Sequence, residues 1–142
     1  MVNRSLLSQK LTELADRVAR VREHKTKSAA EFRSDRDAFE IVSFNLMLAV
    51  QVCADIASHI IADEKWTPAG TLGDSFTRLE EHGVIPTEVA ASLRRAVGLR
   101  NIVAHGYAGI DYDMIEAAAT AGVDDLSQFA QGVANWAAGQ GA

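Results

Sequence analysis

The sequence is short of several things that organise small proteins by other means. It has one cysteine, Cys53, in 142 residues, which excludes an intrachain disulfide framework and a cysteine-based zinc site. Two prolines and an aromatic share of 6% argue against a turn-rich β-sandwich. No apolar run is unbroken. The longest, residues 41–62, is interrupted by Ser43, Asn45, Gln51, Asp55, Ser58 and His59, too polar for a membrane span. There is no glycine-rich phosphate loop, dinucleotide fingerprint or serine nucleophile elbow. His24, His59, His82 and His105 lie far apart with no metal-ligand spacing, so neither a metal nor a cofactor is expected. The opening residues lead into a polar amphipathic stretch rather than a signal peptide, and the expected location is the cytoplasm.

What is present is enough for a core. Hydrophobic residues make up 48% of the chain, sufficient for one globular domain over residues 1–142. Net charge is −5, but it is uneven: residues 1–36 hold nine Lys/Arg against five Asp/Glu, and the remainder five against fourteen. An acidic total argues against indiscriminate nucleic-acid binding. It leaves room for a local basic groove, because Arg94, Arg95 and Arg100 follow one another with no acid between them.

Hydrophobic spacing gives an all-α reading. Leu7, Leu11, Leu14, Val18 and Val21 recur at helical period and predict a helix over about 5–24, with Ser5 as N-cap. A second, longer helix is expected over 28–63, which contains no Gly or Pro. From Phe39 onward it is apolar nearly all round, so it needs cover on several sides, one of them offered by a second subunit. Gln51, Asp55 and His59 form a polar line along it at spacing four. Residues 66–70 read as a turn, and a short helix follows over 72–81. A fourth helix starts near Pro86 and stops before Gly106. A fifth is capped by Asp111 and runs to about 120, and a last one covers 124–137, leaving 138–142 as a loose tail. The expected architecture is an antiparallel, up-and-down helical bundle with a long second helix, paired with a second subunit as a homodimer.

The distinctive segment is Arg100-Asn-Ile-Val-Ala-His105-Gly-Tyr107. His105 falls in the last helical turn, where the negative dipole end favours the imidazolium, so it can exchange protons near neutrality. The Arg100 fork suits a phosphate. Tyr107 adds a hydroxyl and a stacking face. Arg100 and His105 differ by about 140° around a helix, so they meet only if the arginine curls or another chain supplies one of them. Asn101 and His105 share a face. From the residues alone a structural reading stays open: a helix-terminal His as a cap, and Arg100 in a salt bridge to Asp55. Arg94 and Arg95 are open between RNA phosphates and a solvated face. Asp55 and His59 are open between the site and a structural polar pair. Cys53 reads as a small core residue, and Trp66 and Trp136 as packing anchors.

The spacing Arg, four residues, His, one residue, Tyr resembles the signature of HepT-type toxins in the HEPN superfamily, carried here by Arg100, His105 and Tyr107. The resemblance extends to residues 48–60, to Trp66-Thr-Pro, to Gly83-Val-Ile-Pro and to Arg94-Arg95-Ala-Val-Gly-Leu-Arg100-Asn, and spans roughly 35–115. It implies a HEPN-like homodimer acting as a metal-independent endoribonuclease on RNA, with the two motif copies facing each other across a cleft. It implies Arg100 and His105 as catalytic residues, with Asn101, Tyr107, Arg94, Arg95 and Asp55 in support. It also implies a partner, a minimal nucleotidyltransferase antitoxin of MntA type, that silences the toxin by transferring AMP to Tyr107. Two competing readings are a non-catalytic binding module serving a nucleotidyltransferase and a purely structural dimerisation bundle.

Overall fold

The computed structural model describes residues 2–25, 28–104 and 112–140. Within them the chain is helical and forms no strand. The order is α1 (Arg4–His24), α2 (Ala29–Ser34), α3 (Arg36–Asp63), α4 (Leu72–Glu81), α5 (Thr87–Ala104) and α6 (Tyr112–Ala117). A π-helical segment, Ala118–Gly122, then leads directly into α7 (Val123–Gln140).

α3 is the central element. It packs against α1, α4, α5 and α7, which is how a helix apolar nearly all round hides its surface. Ala49, Val52, Cys53, Ile56, Ala57 and Ile60 are all buried along it. By length and composition α3 could cross a membrane, yet 61% of its most apolar stretch is buried within the bundle. α1 lays Leu7, Leu14, Val18 and Val21 into the core. Phe76 of α4 and Phe129 of α7 meet edge-to-face with ring centroids 6.0 Å apart. Trp66 stacks on His82 at 3.7 Å and meets Trp136 at 5.9 Å, the anchoring role expected of both tryptophans.

Several boundaries differ from the sequence expectation, each for a local reason. The N-cap of α1 is Asn3, not Ser5: the Asn3 side-chain oxygen accepts from the Leu6 amide at 3.0 Å. The long helix starts at Arg36 and is third in order, because Asp35 interrupts the span expected as one helix over 28–63. Asp35 closes α2 and caps α3, its carboxylate accepting from the Ala38 amide at 3.0 Å. An Asx cap can break a helix without glycine or proline, since the side chain replaces the backbone acceptor. The helix expected to stop near 120 does not stop; the π segment carries it into α7. That last helix also continues through Ala138 and Gly139 to Gln140, residues expected in a tail. The expected Gly106 stop and Asp111 cap lie outside the described residues.

Two tight ends fix the path around α4. α3 closes with Lys65 at φ 59°, and the Trp66 amide reaches back to the Ile61 carbonyl at 3.0 Å, a Schellman closure with lysine where glycine is usual. Gly83 at φ 74° turns the chain after α4, a backbone conformation glycine adopts freely. Thr71 caps α4 through the Asp74 amide at 3.1 Å. These ends set α4 against α5 and so hold the helix that carries the candidate site.

Candidate functional site

The last two turns of α5 present Arg100 beside the middle of α3. Arg100 lines a small cavity of 30 Å³ together with Leu46, Met47, Val50 and Leu99. The residue is half-buried. Both terminal nitrogens are held: Nη1 donates to Asn101 Oδ1 at 2.7 Å, and Nη2 donates to Gln51 Oε1 at 2.6 Å. Arg100 forms no ion pair among the described residues, since the pairs found there involve other cations.

The direct salt bridge between Arg100 and Asp55, one of the readings open in the sequence, is not formed. Gln51 stands between them, its Nε2 donating to Asp55 Oδ1 at 3.3 Å, and Asp55 pairs instead with Lys10 of α1 at 3.6 Å. Asp55 is therefore one residue removed from the guanidinium. His59, the third member of the polar line, is exposed. It borders a different hollow, with Asn3, Lys10 and Asp63. Gln51 was visible in the sequence as part of that line. Nothing local showed that a residue forty-nine positions away would complete it.

The other arginines divide. Arg94 points toward α4, where it donates to Thr77 Oγ1 at 3.1 Å and pairs with Glu80 at 3.2 Å. Those bonds occupy it in tying α5 to α4. Arg95 is exposed. Asn101 is exposed as well and serves as an acceptor for Arg100. His105 and Tyr107 lie outside the described residues. Among the described residues no three of His, Cys, Asp and Glu converge as metal ligands would.

The surface of α3 near this site is unusual. Phe44 is 49% exposed and lies seven residues, two helical turns, before Gln51, so both belong to one stripe of α3. Met114 of α6 is 41% exposed. Below the surface the chemistry is quiet: burial pushes the Cys53 thiol well above its ordinary pKa.

The all-helical bundle matches solved structures of HEPN toxins. A solved structure of the tri-AMPylated HEPN toxin of Shewanella oneidensis, in complex with its MNT antitoxin, superimposes with a TM-score of 0.85 at 25% identity, covering 94% of this chain and 99% of that one. A toxin–antitoxin crystal structure with AMP-PNP has the same fold, with a TM-score of 0.85 at 24% identity over 92% of this chain and 98% of that one. The mRNA nuclease HepT of Shewanella oneidensis is 30% identical over 100 residues, covering 70% of this chain and 75% of that protein. The model of the ribonuclease HepT-like family matches residues 12–133, and the chain belongs to that family.

Proposed function

We propose that this protein is the toxin of a toxin–antitoxin pair, a metal-independent endoribonuclease that cleaves RNA through Arg100 and His105. The observation that carries the reading is the state of Arg100. A half-buried arginine that is held, among the described residues, by neutral oxygens keeps its charge for an anion, five residues before His105 in a HepT-like chain. Membership of that family and the relative named as an mRNA nuclease support RNA as the substrate.

The chemistry is transesterification. One His105 takes the proton from a ribose 2′-hydroxyl. The 2′-oxygen attacks the adjacent phosphorus, and the bond to the 5′-oxygen breaks. That oxygen receives a proton from a second His105 or from water, leaving a 2′,3′-cyclic phosphate and a 5′-hydroxyl. Arg100 binds the phosphate and stabilises the charge that grows on its oxygens. Asn101 orients Arg100, and exposed Arg95 contacts flanking phosphates. Two copies of the motif meet when a second subunit covers the stripe of α3 that carries Phe44 and Gln51; an exposed phenylalanine in line with the site supports that homodimer.

Regulation follows from Tyr107. A nucleotidyltransferase antitoxin of MNT type transfers AMP from ATP to the Tyr107 hydroxyl, releasing pyrophosphate. The added anion occupies the place of the RNA phosphate. The tri-AMPylated relative supports this, and the cytoplasm, where RNA and ATP meet, is its setting. The experiment compares wild type with His105→Ala in EDTA, on protein whose intact mass shows no AMP. Wild type is expected to cleave RNA and lose that activity once the partner and ATP add AMP, and His105→Ala is expected to be inactive. Equal cleavage by both proteins would refute the proposal.

A further inference from the structure

Arg100 sits at one end of a hydrogen-bonded series that crosses three helices. Lys10 on α1 pairs with Asp55 on α3 at 3.6 Å. Asp55 accepts from Gln51 Nε2 at 3.3 Å, and Gln51 Oε1 accepts from Arg100 Nη2 at 2.6 Å on α5. The Gln51 amide can face only one way here. Arginine has no acceptor and an ionised aspartate has no donor, so the amide nitrogen must face Asp55 and the oxygen must face Arg100. Asp55 thus fixes the Gln51 orientation, and Gln51 fixes the arginine.

The charges along the series matter as much as the bonds. Lys10 is shared between Asp55 at 3.6 Å and Glu13 at 3.8 Å, Gln51 carries no charge, and no carboxylate among the described residues pairs with Arg100. A glutamate at position 51 would offer the same acceptor geometry but would offset the guanidinium, and an incoming phosphate would then have to displace it. The two amide bonds use two of the five guanidinium N–H groups and leave three for a ligand.

We propose that Gln51 is a positioning residue for Arg100. It holds the guanidinium through a neutral oxygen, with its own orientation set by Asp55, so that a phosphodiester meets an aligned cation that no described carboxylate occupies. The proposal rests on the reading of Arg100 as the phosphate-binding group.

The test separates orientation from charge, and this proposal from the reading beneath it. A labelled 2′-O-methyl RNA, which lacks the attacking hydroxyl, is titrated at fixed low salt against wild type, Gln51→Glu, Gln51→Met and Arg100→Ala, with a thermal midpoint for each. Gln51→Glu is expected to bind about tenfold more weakly while melting at or above wild type, because the pair that stabilises the fold competes with RNA. Gln51→Met keeps length and neutrality but loses the acceptor, and about a threefold loss is expected. A purely structural role would move binding and melting together. Gln51→Glu binding within twofold of wild type, while Arg100→Ala binds poorly, overturns the proposal alone. If Gln51→Glu fails to fold, Gln51→Met binding like wild type overturns it. Wild-type binding by Arg100→Ala overturns the phosphate-binding role itself, and the proposal with it.

Discussion

At the scale of single residues, the described arginines are held in different ways, some in ion pairs and others, such as Arg17 and Arg100, by side-chain amides. Arg94 is tied to Glu80, Arg22 to Asp124 and Arg36 to Glu40, whereas Arg100 is held by amides. The sequence shows the motif but not this distinction, because the partners come from other helices and one chain carries no record of contacts. Asp55 was legible as a polar intrusion on an apolar helix, and its link to the site proves indirect. Cys53 was read correctly from its apolar neighbours. It is fully buried with a thiol pushed well above the ordinary range, so thiolate is scarce at neutral pH and access is closed. Native protein is expected to resist iodoacetamide at pH 7.5, with one equivalent taken up after denaturation in guanidinium. Fast stoichiometric labelling of folded protein would contradict the burial.

At the scale of elements, periodicity placed every major helix, and side-chain caps decided where they end. Helix period is a sum over many residues and survives errors at its edges. A cap depends on one side chain choosing one amide, and Asn3 and Asp35 made choices that spacing did not reveal. Close helix approaches are equally hidden. A Cβ on Gly132 of α7 would lie 2.9 Å from the Val84 carbonyl oxygen, a backbone atom that cannot swing away. Alanine in a helix interior is ordinarily favoured over glycine by about 1 kcal/mol, so the sign of this substitution is diagnostic. Gly132→Ala is expected to lower stability by roughly 1–3 kcal/mol in urea unfolding, as overpacking does. A stabilised variant would mean that α7 does not pack so closely on the chain before α5.

At the scale of the whole molecule, an acidic protein with a basic first quarter is a poor general nucleic-acid binder, and on the proposed function it needs local attraction at the site. Arg100, in no ion pair among the described residues, stands on α5 against Gln51 of α3, and exposed Phe44 lies two turns before Gln51. The all-α bundle was legible from composition and period. The family was legible from Arg100, His105 and Tyr107 together with their flanks, and the neutral surroundings of Arg100 required the structure. The proposed role of Arg100 in phosphodiester cleavage is tested by single-turnover cleavage of RNA in EDTA, comparing AMP-free wild type with Arg100→Ala. The expected result is a fall of roughly 100-fold or more in rate, the scale for losing a group that stabilises transition-state charge, with the helical content and assembly of the variant unchanged. An Arg100→Ala protein that cleaves at the wild-type rate would contradict the account.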